Sequence, residues 1–307
     1  MINKIKIVFG CMLFFITTIK INCQTSGINF QSNVITIPET VLVKGGTFKL
    51  GSEDGEVNEK PVHTVIVSDF YIGKYEVTNK EFCEFLNDKG NNKEKVIEWI
   101  NLSGKWDDDT LQKCNIYLSE GKFWVKKGYE DYPVTFVNWY GAKAYCDWLS
   151  EKTGKQYRLP TETEWEYVAR NCGQNIKYVW GNEPPVGKHP GNFADESLKR
   201  IYPDIRIAPG YNDLYVFVAP VGKFEPNVLG IYDLAGNVWE WCSDWFSHQY
   251  DNSDGVKNPV GAKSGDMKVA RGGSWLDGPG QLRVSRRVGL DPKSNSLNLG
   301  FRVAMEK

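Results

Sequence analysis

Apolar residues along this chain come mostly in short alternating runs closed by glycine, proline, asparagine or serine, the pattern of brief half-buried strands. Such runs are Ile35-Thr36-Ile37, Val41-Leu42-Val43 and Thr47-Phe48-Lys49-Leu50, and a turn at Gly45-Gly46 is expected to fold the last two into an opening hairpin. Past an acidic loop over 52–62, residues 63–67 and 70–77 predict two more strands. The period then changes. Over 79–87, Phe82, Cys83, Phe85 and Leu86 share one helical stripe, and Thr78 with Glu81 forms a capping-box start. Ile116-Tyr117-Leu118 and Phe123-Trp124-Val125 read as a second hairpin about 119–122. Residues 133–139 predict a strand that hands over to a helix at 140–153. That helix turns Ala142, Ala144, Tyr145, Cys146, Trp148 and Leu149 inward and stops at Gly154. Another capping box, Thr161 with Glu164, starts a helix with the apolar stripe Trp165, Val168 and Ala169. From Gly173 to Lys223 there is no sustained period, which predicts ordered loop. Residues 271–275 and 299–304 predict closing strands that pair the two ends of the domain.

Residues 230–241 concentrate the chemistry. In extended chain Trp239 and Trp241 share a face, and Val238 and Glu240 project from the other. A carboxylate beside a tryptophan-lined core requires a hydrogen bond, a counter-ion or a bound cation. Asp233 and Asn237 lie close in sequence, and Gly236 lets the backbone turn its carbonyls inward with them. Such an all-oxygen set suits calcium. The competing reading is a tryptophan cluster whose polar groups hydrogen-bond turn amides.

Composition adds limits. The 307 residues carry a net charge of −1, with 24% charged residues, which leaves no electrostatic footprint for nucleic acid or a membrane surface. Eleven tryptophans and 30 glycines favour short strands and irregular loops around aromatic anchors. Residues 1–23 read as a signal peptide: Lys4 and Lys6 precede an apolar run over 7–19 that is too short to span a bilayer. The expectation is an exported protein in the periplasm, on the outer membrane or outside the cell, with no transmembrane helix in the mature chain. Cys23 is either a lipidated first residue or the last residue removed by ordinary cleavage. Residues 24–36 form a polar lead-in, and 37–307 one domain. Cys83, Cys114, Cys146, Cys172 and Cys242 remain, an odd set without CxxC; Cys83 and Cys146 sit among helical apolar residues as buried thiols.

Seven stretches then fall in a telling order: Gly45-Gly46-Thr47-Phe48, Tyr75-Glu76-Val77-Thr78-Asn79, residues 133–139, residues 158–166, Gly236-Asn237-Val238-Trp239-Glu240-Trp241, Arg271-Gly272-Gly273-Ser274-Trp275 and Asn298-Leu299-Gly300-Phe301-Arg302. The set resembles the formylglycine-generating enzyme, or sulfatase-modifying factor, family over nearly all of the mature chain. The resemblance implies an α+β domain, a variant of the C-type-lectin-like fold with short antiparallel strands, two main helices and much irregular loop. It also implies two structural calcium ions. At the first, the side chains of Asn192 and Asp213 and the carbonyls of Phe193 and Tyr215 match ligand positions, with an insert at 195–210 between them. At the second, the side chains of Asp233 and Glu240 and the carbonyls of Gly236 and Val238 match.

Enzymes of that family oxidise a sulfatase cysteine to formylglycine with two copper-binding cysteines just after the Gly-Gly-Ser stretch, thiolates being the ligands that suit Cu(I). Asp277 stands near the first of those positions and Leu282 near the second, and no cysteine follows Cys242. No copper is therefore expected, and the chain reads as a calcium-stabilised binding or assembly module that lacks the oxidase. Ser274, Trp275 and Asp277, beside Trp239 and Trp241, are the candidate groove for a peptide, a glycan or an envelope protein. Non-catalytic relatives that serve as envelope lipoproteins in gliding and secretion make Cys23 a candidate anchor. The alternative is a metal-dependent oxidoreductase, formylglycine-generating or a nonheme iron sulfur oxidase, acting on a protein or small molecule. His63, His189 and His248, however, lie far apart without helical ligand spacing. Arg283, Arg286 and Arg287 near Asp291 predict a salt-bridged or solvated face, and Arg271 and Arg302 are expected to pair with core acids such as Glu164 or Glu166.

Overall fold

The computed structural model describes residues 35–90, 98–104, 113–185, 190–250 and 254–307. The expected signal segment, Cys23 and most of the lead-in lie outside the described residues, as does His189. Residues 35–307 form one compact unit, in which no described helix is long and apolar enough to cross a membrane.

Three helices begin where the local chemistry dictates. In α1 (Asn79–Asp88) and α3 (Glu162–Ala169) the capping boxes Thr78/Glu81 and Thr161/Glu164 are both made. Helix α2 (Trp139–Thr153) starts one residue earlier than expected because Asn138 accepts the amide of Gly141 as its cap, and it ends on Gly154 at φ 71°. The second hairpin also forms as expected, β5 (Ile116–Ser119) against β6 (Lys122–Val125).

Longer-range pairing departs from the local pattern. Strands β1 (Thr40–Val43) and β2 (Gly46–Leu50) do not pair with each other. Instead β1 pairs with β4 (Phe70–Gly73) and β2 with β3 (His63–Val67), both antiparallel, and β3 also takes the short β9 (Val256–Lys257) in parallel. The chain turns away between them at Gly45, whose amide is held by Asp69 Oδ1 at 2.9 Å. Residues 35–37 are no strand; Thr36 is tied instead to Glu84 of α1. Residues 133–139 are irregular because Phe136 takes a left-handed φ of 58°, which no strand tolerates. The expected closing strands are shorter than 271–275 and 299–304. Strand β10 (Lys268–Arg271) stops at two positive-φ glycines, and 299–304 splits into β12 (Leu299–Gly300) and β13 (Ala304–Glu306) around Arg302, which turns inward. One sheet runs β1-β4-β13-β7, with β7 at Tyr157–Arg158, so the two ends of the domain share a sheet but β4 separates them. A second runs β11-β10-β8-β12, with β11 at Arg287–Leu290 and β8 at Trp239–Trp245.

Strand β8 divides the interior. Trp239 and Trp241 face a core with Phe82, Tyr145, Trp148, Trp275 and Phe301, while Cys242 faces another with Phe48, Val65, Ile72 and Trp165. The expected shared tryptophan face is present, and Val238, which precedes the strand, joins it. Cys83, Cys114, Cys146, Cys172 and Cys242 are all free thiols, and burial pushes Cys83 up to about 11.

Candidate cation and ligand sites

The loop that leads into β8 turns inward through left-handed residues: Asp233, Gly236 and Asn237 have φ of 58°, 89° and 58°. A Cβ at position 236 would lie 1.9 Å from the carbonyl oxygen of Asn192, so only glycine lets the two segments touch. Asn237 is their hub. Its Oδ1 accepts from Asn192 Nδ2 at 3.1 Å and from the amide of Ala219 at 2.9 Å, while its Nδ2 donates to Glu76 Oε2 at 2.6 Å. The amide of Val238 donates to Glu76 Oε1 at 3.2 Å.

Around this hub, buried carboxylates outnumber cations. Arg302 forks onto Glu240, Nε to Oε2 and Nη2 to Oε1, both at 2.6 Å, and Trp165 Nε1 donates to Oε2 at 2.9 Å. Arg302 thus pairs with Glu240 rather than with Glu164 or Glu166. Its remaining donors go to the carbonyls of Gly73 and Tyr232. Asp233 Oδ2 accepts from the amide of Gly222 at 2.7 Å, but its Oδ1 is buried and has no hydrogen-bond partner among the described residues. Burial raises Asp233 to about 6. Burial also lifts Glu76 well above the carboxylate range, and the charges of Asp233 and Glu240 push it the same way. One guanidinium cannot neutralise Glu76, Asp233 and Glu240, so the centre favours an added positive charge, a proton or a bound cation. The orphaned Asp233 oxygen, with the carbonyl of Gly236, fits a hard cation. Glu240 adds to that set only through lone pairs left free by Arg302 and Trp165.

The other cluster has the same character. Asn192 Nδ2 is used twice, on Asn237 and on the carbonyl of Phe217 at 2.8 Å, whereas its Oδ1 is buried without a partner among the described residues. Asp213 accepts the amides of Tyr215 at 2.8 Å and Phe193 at 3.1 Å. The carbonyls of Phe193 and Tyr215 take no hydrogen bond among the described residues. Burial raises Asp213 to about 8, with nearby Asp195 adding to it. The insert does not separate Asn192 from Asp213. Asp195 caps the short helix α4 (Glu196–Lys199) and accepts the Asp213 amide at 2.6 Å, folding the insert back on itself.

The expected ligand groove is corrected. Ser274, Trp275 and Trp241 are at most 1% exposed and belong to the core. Asp277 alone reaches the surface. Its Oδ2 accepts from Ser274 Oγ at 2.5 Å and Trp239 Nε1 at 2.8 Å, Asn298 Nδ2 donates to Ser274 Oγ at 2.9 Å, and burial raises the Asp277 carboxyl. Leu282 is buried with Phe193, Ala208 and Tyr211. The two positions expected to correspond to the family's thiolate pair thus hold a hydrogen-bonded carboxylate and a core leucine, a donor set that does not fit Cu(I). Cys242 is fully buried in β8, where burial drives its thiol well up. Among the described residues no three histidine, cysteine or acidic side chains converge as a metal centre. His63 bonds the carbonyl of Pro61 and His248 packs on Phe246. The expected arginine face is salt-bridged only in part: Arg283 pairs with Glu59 and the buried Arg287 with Glu162, whereas Arg286 donates to Gln281 Oε1 and Asp291 pairs with none of them among the described residues; Arg271 meets Glu166 as expected and Glu164 takes Arg158.

Glu76 carried no role in the sequence reading. Its signal was a lone carboxylate inside the otherwise strand-like 70–77 run.

Comparison with known proteins agrees with this architecture. The family model described as sulfatase-modifying factor enzyme 1-like domain matches residues 25–307, and the chain belongs to that family. It is 34% identical over 298 residues to the formylglycine-generating enzyme of Streptomyces coelicolor, covering 86% of this chain and 88% of that protein. It is 33% identical over 290 residues to the inactive C-alpha-formylglycine-generating enzyme 2 of Bos taurus, covering 86% and 87%. The chain also matches serine/threonine-protein kinase Pkn1 of Chlamydia trachomatis at 31% identity over 273 residues, where it spans only 38% of that protein's length. Among solved structures, PvdO from Pseudomonas aeruginosa superposes with a TM-score of 0.66 at 28% identity, over 88% of this chain and 95% of that one. The mixed α+β fold, with few helices and many short strands, is that of the family.

Proposed function

We propose that the protein is a member of this family without the copper oxidase chemistry, acting as a binding or assembly module whose loops are held by two calcium ions. The observation that carries this reading is the pair of residues near the thiolate positions. Asp277 is held by Ser274 and Trp239, and Leu282 lies in the core, so the loop offers no soft ligand. The name of the bovine relative, which calls it inactive, is consistent with such a loss within the family. Asn192 and Asp213 with the carbonyls of Phe193 and Tyr215 would hold one ion. Asp233 and Glu240 with the carbonyls of Gly236 and Val238 would hold the other, supplying the positive charge that the acids around Arg302 lack. The leader at 1–23 and Cys23 support an exported protein of the bacterial envelope, soluble or lipid-anchored, with an envelope protein, peptide or glycan as partner.

Elemental analysis of the mature protein, before and after incubation with Cu(I) under reducing conditions and with Fe(II) under anaerobic ones, tests this together with a mass-spectrometric assay for aldehyde formation in a cysteine-containing sulfatase peptide. The expected result is calcium near two per chain, no retained copper or iron, and unmodified peptide. Stoichiometric copper or iron with aldehyde product overturns the reading.

A further inference from the structure

The surface next to Asp277 is a cleft of about 520 Å³ between the insert at 195–210 and the loop at 278–281. The insert is pinned there by backbone contacts. The amide of Ala208 donates to the carbonyl of Ala194 at 2.9 Å, and the amide of Ala194 donates to the carbonyl of Asp277 at 3.1 Å. The Arg206 carbonyl lies so near Gly278 that a Cβ there would be 3.1 Å away. The cleft is therefore preformed, as small binding sites usually are.

Its chemistry is one-sided. Ile205, Ile207, Pro209 and Pro279 give apolar walls, and Ile205 and Ile207 also pack against the main core, which fixes them. Lys199 and Arg206 bring positive charge, and no carboxylate is among its lining residues. The basic groups of the interior are neutralised: Arg283 by Glu59, Arg287 by Glu162 and Arg302 by Glu240. Lys199 and Arg206, both exposed, have no ion-pair partner among the described residues. Asp277 does not fill that gap, since its Oδ2 is turned to Ser274 and Trp239. No aromatic ring lines the cleft and Gln281 is its one amide side chain, a poor surface for stacking and hydrogen-bonding a sugar. Aliphatic walls beside two free cations suit an aliphatic side chain flanked by carboxylates.

We propose that this cleft binds an acidic peptide segment, seating an aliphatic side chain against Ile205 and Ile207 with carboxylates at Lys199 and Arg206. The proposal rests on the binding-module reading and names its ligand.

Selection of a phage-displayed random dodecapeptide library on the immobilised mature protein tests it. Aspartate and glutamate beside leucine, isoleucine or valine should be enriched. A labelled winner should bind the double variant Lys199→Glu/Arg206→Glu at least about tenfold more weakly, and reselection on that variant should enrich lysine and arginine. Both substituted side chains are exposed, so the melting temperature of the variant should match the parent. Peptides without acidic enrichment, or winners that bind the double variant equally well, overturn the cleft assignment while leaving the binding-module reading in place. An empty selection overturns the peptide proposal, and if a sulfated polysaccharide then binds in a way that depends on Lys199 and Arg206, the occupant is a glycan. Stoichiometric copper or iron with aldehyde product removes the underlying reading as well.

Discussion

The ladder of Arg170, Glu166, Arg271, Glu162 and Arg287 and the centre of Glu76, Asp233, Glu240 and Arg302 are equally dry, yet they meet the cost of burial differently. In the ladder each carboxylate lies between guanidiniums. Glu166 takes Arg170 at 2.7 Å and Arg271, and Glu162 takes Arg287 at 2.6 Å with Arg271 at 3.5 Å. Burial alone would raise Glu166, but Arg170 and Arg271 outweigh it and hold the carboxyl below its ordinary value. In the centre, burial raises Glu76 and the neighbouring acids add to the rise, against the single guanidinium of Arg302. Both clusters use the same residue types at the same depth, so the difference lies in stoichiometry. A buried network in which each carboxylate meets two guanidiniums holds elements together by itself, even though Arg271 Nε takes no hydrogen bond among the described residues. One with surplus carboxylates and an orphaned oxygen is prepared for something the chain does not supply.

Removing the guanidinium from each cluster sharpens this contrast most. Arg302→Met leaves Glu240 without its counter-ion beside two other acids and should cost about 3–5 kcal/mol, the range for breaking a buried pair. Arg271→Met leaves Glu166 with Arg170 and Glu162 with Arg287, and should cost about 1–3 kcal/mol. Urea unfolding at neutral pH in saturating calcium measures both. Equal losses would mean that charge balance is not what separates the clusters.

Calcium removal comes next in size. An ion that binds only the folded state at 100 times its dissociation constant adds about 2.7 kcal/mol, so chelator should lower the melting temperature of the parent by several degrees. Asp233→Ala and Asp213→Ala should each blunt that response, because each deletes an expected ligand, whereas Arg271→Met should keep it in full. A parent protein that melts at the same temperature with and without chelator would leave the acidic centre without its cation.

What could be read from the sequence follows from how local each cause is. The starts of α1 and α3 and the stop at Gly154 depend on residues within a turn or so of each other, and they were legible. So was the hairpin of β5 and β6, closed by a short turn. The opening hairpin was misread because β1 takes its partner from 70–73, and β4 in turn pairs with the far end of the chain in β13. The strand expected at 133–139 failed on one residue, Phe136, whose left-handed φ no apolar pattern reports. At the candidate sites, Asn192, Asp213, Asp233 and Glu240 came from motif order, and alternation further showed that Glu240 needed a partner. Its identity as Arg302 is a contact between residues 62 apart, and the bond from Asn237 to Glu76 spans 161. Lys199 and Arg206 look like ordinary solvated charges until 278–281 is folded against them.

The last effect, small at each step of the pH scan, concerns a carboxylate at the edge of the ladder. Asp244, at the end of β8, is 3% exposed. Its Oδ2 accepts the first amide of α3, from Glu162, at 2.9 Å and the hydroxyl of Ser243 at 2.9 Å. Burial, with the charge of Glu162 behind it, raises its carboxyl to about 7. The folded state therefore holds this proton over a range in which the unfolded chain has released it, and the stabilisation is complete only below the ordinary carboxyl value near 4. As pH rises from about 4 to about 7 that contribution is lost, at no more than about 1.4 kcal/mol per pH unit, the limit for one proton. Asparagine has the shape of the protonated acid and no charge. Asp244→Asn should thus match the parent at pH 4, become progressively more stable than the parent up to about pH 7, and keep a constant margin above it. Paired thermal melts across that range give the difference directly, free of every other titrating group the two proteins share. A flat difference would show that the Arg271 and Arg287 guanidiniums already neutralise Asp244, making it the third carboxylate of the ladder rather than an unpaired charge at its edge.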